Sequence, residues 1–223
     1  MYLFCTCVLF WSALLFPAAI LAQPYYIDNS VDLPVSGISS GAAGPCMDVE
    51  FADLNNDGFT DVVLAHEFIA NVILFNDGTG KFTNGTAGRL PQAQQDSEDI
   101  AIADFDGDGD LDIIFVSEDI INGQREHEYY LNDGSGTFSV APYTLPSSEA
   151  NAVGAADLNN DGYPDLVIGN AEQDFLLIND GDGGFTDETA SRLPAIFDVT
   201  QDIKLADLDG DGDLDLMVGN EDR

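Results

Sequence analysis

The chain of 223 residues carries 41 acidic side chains against 6 basic ones, a formal charge of −35 at neutral pH. A field of that sign repels nucleic acid and anionic membrane surfaces, so neither is expected as a partner. Of three cysteines, Cys5 and Cys7 fall in an apolar N-terminal stretch, which leaves no internal disulfide framework to staple the remainder.

Residues 1–22 form an almost uninterrupted apolar run ending in Ala22 before Gln23 and Pro24, the pattern of a cleaved secretory signal peptide. The run lacks a basic residue near Met1 and is long enough to cross a bilayer, so an N-terminal membrane anchor is the alternative. Either reading puts the rest of the chain outside the cell: secreted, at the cell surface, or periplasmic or on the outer surface if bacterial. Residues 24–223 are long enough for one repeat-built domain with a sizeable core. Cys46, in GPCMD, is expected to be buried, with pairing to a cysteine beyond residue 223 as the other option.

Four acidic loops then recur: DLNNDGFTD from Asp53, DFDGDGDLD from Asp104, DLNNDGYPD from Asp157 and DLDGDGDLD from Asp207. They start 51, 53 and 50 residues apart, and a period near fifty is a statement about fold. Each loop lies between a segment rich in small residues, such as AIA before Asp104, and a bulkier strand-like run, such as Leu111 to Val116. Two further strands follow in each unit, as at Glu128 to Leu131 and from Phe138 to near Pro146, joined by the turns NDGTG at Asn76, NDGSG at Asn132 and NDGDG at Asn179. Small residues suit a crowded axis, so four-stranded blades of a β-propeller are expected rather than a linear solenoid. Tyr25 to Pro34 aligns on Phe185 to Pro194, so the chain reads as three complete blades plus a split or incomplete fourth, truncated at the C-terminus. Further blades of a longer chain are then expected partners. The second unit is longer between Asp112 and Asn132, the extra residues lying around Ser117 to Arg125, where a protruding contact loop is one reading.

Oxygen donors at positions 1, 3 and 5, glycine at 6, a main-chain carbonyl at 7 and a carboxylate at 9 can wrap one Ca²⁺ at about 2.3–2.6 Å. The expected ligands are Asp53, Asn55, Asp57, the Phe59 carbonyl and Asp61 in the first loop, and Asp104, Asp106, Asp108, the Asp110 carbonyl and Asp112 in the second. The third uses Asp157, Asn159, Asp161, the Tyr163 carbonyl and Asp165, and the fourth Asp207, Asp209, Asp211, the Asp213 carbonyl and Asp215. About four Ca²⁺ ions, one per loop, are therefore expected as cofactors. An EF-hand would need Glu at position 12, which here is Leu64, Phe115, Ile168 or Val218. Magnesium demands a stricter octahedron, and the donor set lacks the His and Cys that transition metals prefer. An Asp-Gly turn needs no ion, but carboxylates crowded at three or all four of positions 1, 3, 5 and 9 in every loop repel one another unless a cation compensates them.

With these motifs the chain resembles the FG-GAP or VCBS repeat proteins, a calcium-loop β-propeller family that includes the propeller head of integrin alpha subunits. The resemblance spans Tyr25 to Gly219, rests on the four D-x-[DN]-x-D-G-x-x-D loops, and has AVGAADLNNDG at Ala152 to Gly162 as its nearest match to the family signature. It implies an extracellular module for recognition, adhesion or scaffolding, with a protein or carbohydrate ligand. The alternative is part of a secreted carbohydrate-active or other hydrolytic enzyme whose active site lies mostly elsewhere.

No nucleophile, acid and base converge in the motifs, and carboxylates committed to a cation are poor proton donors. His66 in VVLAHEF lacks a second histidine at metallopeptidase spacing, and His127 in REHEYY stands alone. Both are expected to be ordinary strand or loop histidines. Asn84, in NGT, meets the N-glycosylation pattern.

Overall fold

The computed structural model describes residues 45–91, 96–118 and 127–221. The N-terminal run, the 25–34 segment and most of the second-unit insertion lie outside them. Three antiparallel meanders follow one another along the chain. The first comprises β1 (Cys46–Ala52), β2 (Asp61–His66), β3 (Val72–Asn76) and β4 (Phe82–Asn84). The second comprises β5 (Ser97–Ala103), β6 (Asp112–Ser117), β7 (Glu128–Asn132) and β8 (Phe138–Val140), and the third β9 (Ala150–Ala156), β10 (Asp165–Asn170), β11 (Phe175–Asn179) and β12 (Phe185–Asp187). A four-residue helix, α1 (Thr189–Arg192), leads to a two-stranded sheet of β13 (Val199–Ala206) and β14 (Asp215–Glu221). These are the blades of a β-propeller: three of four strands, and two strands of a fourth among the described residues.

Every acidic loop is the connection between the first and second strands of its blade. The pairs Ala52↔Asp61, Ala103↔Asp112, Ala156↔Asp165 and Ala206↔Asp215 close the four loops in the same register. First strands of successive blades also touch, β1 with β5, β5 with β9 and β9 with β13. Small residues are needed there: a Cβ on Gly154 of β9 would lie 2.9 Å from Ile203 Cγ2 of β13.

Second strands run between neighbouring blades, which explains their continuous apolar sequences. All six residues of β2, β6 and β10 are buried. Alternate residues of β6 serve opposite cores: Ile113 and Phe115 pack with Val63 and Ile73 of the first blade, whereas Ile114 and Val116 pack with Leu166 and Ile168 of the third. Burying a side chain the size of Phe115 contributes about 2–3 kcal/mol. β14 has the same pattern but is largely exposed, with no further blade against its outer face among the described residues.

Two expectations need adjustment. The fourth strand of the second blade was expected to reach Pro146, but β8 stops at Val140, and Pro142, which has no amide proton to donate, follows closely. In the third blade the equivalent stretch contains α1. Cys46 is half-buried, its Sγ 3.5 Å from the Asp48 carbonyl oxygen.

Candidate metal centres

The four loops share a hydrogen-bond scheme that varies at position 1, where the second donor is the amide of position 5 in loops 1 and 3 and of position 4 in loops 2 and 4. Asp53 accepts from the amides of Asp57 and Gly58 at 3.1 and 2.8 Å, and Asp157 from those of Asp161 and Gly162 at 3.1 and 2.9 Å. Asp104 accepts from Gly107 and Gly109 at 2.9 and 3.0 Å, and Asp207 from Gly210 and Gly212 at 2.7 and 3.2 Å. Position 3 accepts from the amide of position 5, as Asp106 does from Asp108 at 3.2 Å, and position 5 from that of position 7, as Asp108 does from Asp110 at 2.9 Å. Asn55 and Asn159 occupy position 3 in the same way, with bonds of 3.0 and 2.9 Å. The loop can fold back only because position 6 adopts a left-handed conformation, with φ of 87°, 95°, 97° and 97° at Gly58, Gly109, Gly162 and Gly212.

Position 9 behaves differently. Asp61, Asp112 and Asp165 are fully buried, and each divides its carboxylate between two amides. Asp112 accepts from Phe105 at 3.0 Å and from Asn132 at 2.9 Å; Asp61 accepts from Leu54 and Asn76, and Asp165 from Leu158 and Asn179. Burial, reinforced by the neighbouring Asp106 and Asp108 carboxylates, pushes Asp112 up to about 7 against the opposing pull of its amide bonds. Burial likewise raises Asp61, Asp165 and Asp106.

Carboxylate oxygens of Asp104, Asp106 and Asp108 lie within 4.8 Å of one another, as do those of Asp207, Asp209 and Asp215. The second loop thus gathers positions 1, 3 and 5, and the fourth gathers 1, 3 and 9. Loops 1 and 3 carry asparagine at position 3 and so present fewer carboxylates. An all-oxygen donor set in which burial and neighbouring carboxylates raise Asp61, Asp106, Asp112 and Asp165 fits a hard divalent cation, which would favour the ionised forms. At position 7 the side chains diverge: Phe59 and Tyr163 lie over Gly78 and Gly181 of the adjoining turns, while Asp110 and Asp213 accept hydrogen bonds.

Several residues that organise this face were read from the sequence only as turn formers. Asn132 Nδ2 donates to the carbonyls of Leu54 in the preceding loop and Leu111 in its own, at 2.8 and 3.0 Å. Asn179 repeats this with Phe105 and Pro164, at 2.9 and 3.0 Å. The signal was present in the asparagine that opens all three NDGxG turns. A third acidic grouping, Glu67, Asp96 and Glu98, has carboxylates within 4.8 Å at strand ends opposite the loops and shares none of the loop motif.

The histidines also lie on that opposite side. His127 Nδ1 accepts from the Ser117 amide at 3.1 Å, and Nε2 lies 3.0 Å from Ser148 Oγ. Asn71 and Asp174 occupy the same place in their blades: each caps the end of its second strand and reaches a hydroxyl of the next blade, Ser97 or Thr200. His127 is therefore one of three inter-blade clasps among the described residues, a role that its residue type did not reveal. His66 is buried at the end of β2, and burial lowers its pKa. In the NGT segment, Thr86 is buried with its hydroxyl accepting from the Ile73 amide, and Asn84 accepts from the Thr86 amide, as Asp187 does from Thr189 in the third blade.

The model of the FG-GAP-like repeat matches three stretches, residues 53–115, 118–168 and 157–218. A search of curated proteins gives no match. Among solved structures, an Agrocybe aegerita lectin described for specific recognition of non-reducing terminal N-acetylglucosamine is similar at 22% identity and a TM-score of 0.46, over 75% of this chain and 45% of the lectin. The V. cholerae biofilm matrix protein Bap1 is similar at 22% identity and a TM-score of 0.43, over 78% of this chain and 23% of Bap1. The chain thus spans less than half the length of either protein.

Proposed function

Because the chain belongs to the FG-GAP-like repeat family, we propose that it is an extracellular recognition or adhesion module whose blades are stapled by calcium. The observation that carries this reading is the recurrence, in four loops, of carboxylates already oriented by their own amides around a glycine turn. Positions 1, 3, 5 and 9 and the carbonyl of position 7 would hold one ion per loop, about four in all. The bound ion would offset the repulsion among the loop carboxylates, leaving an exposed surface free to meet a protein or carbohydrate ligand. Modules of this kind outside the cell work with weak sites, of roughly 10⁻⁴–10⁻³ M, because calcium is plentiful there. That fits residues 1–22 acting as a secretion signal ahead of a repeat domain over residues 24–223.

Calorimetric titration of the metal-free chain with Ca²⁺, paired with thermal unfolding, tests the proposal. About four sites and a rise in melting temperature are expected; an ion at a hundredfold excess over its Kd stabilises the folded state by about 2.7 kcal/mol per site. Absence of both heat and stabilisation would overturn the ligand assignment. Retention on immobilised glycans or proteins, compared with and without chelator, tests the recognition role, and retention indifferent to chelator would separate it from the loops.

A further inference from the structure

Adjacent loops are joined in two different ways, and the two alternate. Position 4 is Asn56 in loop 1 and Asn160 in loop 3, both left-handed at φ 58° and 61°. In loops 2 and 4 it is Gly107 and Gly210, at φ 75° and 80°. Position 7 alternates in step, aromatic at Phe59 and Tyr163 and acidic at Asp110 and Asp213. From loop 1 to loop 2, Asn56 Nδ2 donates to Asp110 Oδ1 at 2.7 Å and to the Gly134 carbonyl at 3.2 Å. From loop 3 to loop 4, Asn160 Nδ2 donates to Asp213 Oδ1 at 3.0 Å. From loop 2 to loop 3 the contact is instead a ring on a glycine: a Cβ on Gly107 would lie 3.1 Å from the Tyr163 ring.

A left-handed conformation is cheapest for glycine, so asparagine in loops 1 and 3 is explained by what its side chain reaches. Asn56 sits between the proposed ligands Asn55 and Asp57 of one ion, while Asp110 offers its carbonyl to the next ion. An ion that orders either loop therefore fixes one end of a hydrogen bond whose other end belongs to the neighbouring site. The second ion then has less freedom left to remove, which is positive coupling. The bonds Asn132 to Leu54 and Asn179 to Phe105 occur at both kinds of junction and cannot create the difference.

We propose that the loops bind calcium as two coupled pairs, loops 1 with 2 and loops 3 with 4, so that the regulatory unit is two blades rather than one. This rests on the calcium reading above. Asparagine at position 4 is the positioning residue of each pair.

The test is a calorimetric Ca²⁺ titration of the full chain and its variants. Asn56→Gly keeps the left-handed backbone, as Gly107 and Gly210 do, removes no proposed ligand and deletes only the link. It should weaken the second ion bound by the first pair by about fivefold or more while leaving the site count unchanged. Asn56→Asp, which turns a donor into a carboxylate facing Asp110, should weaken it further, and Asn160→Gly should act on the other pair additively. Asp108→Ala, which disables loop 2, should lower affinity at loop 1 in the native background and not in the Asn56→Gly background. Titrations of Asn56→Gly and Asn160→Gly that superimpose on the native curve, with all sites present, would overturn the coupling and leave the calcium reading standing. A native chain that binds no calcium would overturn both.

Discussion

Replacing Asn132 by alanine should be among the most damaging changes that touch no proposed ligand. Its side chain makes four hydrogen bonds: Nδ2 donates to the Leu54 and Leu111 carbonyls, and Oδ1 accepts from the Gly134 and Gly136 amides at 3.2 and 3.1 Å. The residue is buried, so water cannot replace those partners freely. At about 0.5–1.5 kcal/mol per bond, discounted because the four are not independent, the cost is about 3 kcal/mol. For a domain of roughly 200 residues that lowers the melting temperature by about 6–12 °C. Asn76 offers an internal control. It is half-buried and makes two side-chain hydrogen bonds, both within its own blade, Nδ2 donating to the Thr60 carbonyl and Oδ1 accepting from the Gly78 amide, each at 3.0 Å, so Asn76→Ala should cost about 1.5 kcal/mol, half as much. Denaturant melts at fixed calcium read the comparison. Asn132→Asp, which keeps the acceptors but turns a carboxylate toward two carbonyls, should be at least as harmful as alanine. Equal costs for Asn132→Ala and Asn76→Ala, or a neutral Asn132→Asp, would refute the inter-blade tie.

Burial holds His127 down at about 4 from 6.5, so between those values the unfolded chain is protonated while the folded one is not. The clasp's contribution is full above pH 6.5 and is lost as pH falls toward 4, at about 1.4 kcal/mol per unit; His127→Asn, which copies the Asn71 clasp of the first blade, should remove that slope in pH-dependent melts. Glu128 and Asp99, pushed up by burial to about 7 and about 6, act with the opposite sign, losing their contribution as pH rises, which is why the difference between native and variant curves is the quantity to measure. Gly154→Val should overpack the contact with Ile203 and Leu205 by about 1–3 kcal/mol, seen as faster hydrogen exchange in β13 and β14 and unchanged exchange in β1–β8. Asp108→Ala should weaken calcium at the second loop by about tenfold or more, yet alter stability in chelator by no more than about 1 kcal/mol. Asp112→Asn, by contrast, leaves an amide facing one of two buried amide donors and should cost about 2–3 kcal/mol even in chelator.

What the sequence made legible is what depends on neighbours along the chain. The glycine at position 6, the alternation of apolar runs and the NDGxG turns carry their conformational reasons locally, so the loops and most strand positions could be placed before the blades were seen. Asn132 was legible as a turn residue but not as a tie to Leu54, because that partner lies 78 residues away and only the stacking of blades brings them together. His127 was unreadable for a related reason. Its counterparts, Asn71 and Asp174, share its geometry and its place five residues before the turn asparagine without sharing its residue type, so the repeat was hidden by the change of side chain. The end of β8 was overextended because the run to Leu145 and Pro146 repeats a sequence pattern whose strand pairing stops at Val140.

The loops divide conformation and charge between different groups. Position 1 is held by two loop amides, and in the first three blades position 9 is held by amides of the loop start and of the NDGxG turn, so these carboxylates shape the loop with or without a cation. Positions 3 and 5 each accept one short-range amide bond, as Asp106 and Asp108 do, and retain acceptor capacity on the exposed side. A chain of formal charge −35 can therefore prefold the site from main-chain donors, leaving the ion to act chiefly on the repulsion among acids that are already in place. Preorganisation of that kind lowers the ordering cost of binding. The freedom left for an ion to remove lies in the side chains that cross the junctions, Asn56 to Asp110 and Asn160 to Asp213, which is where one site can influence the next.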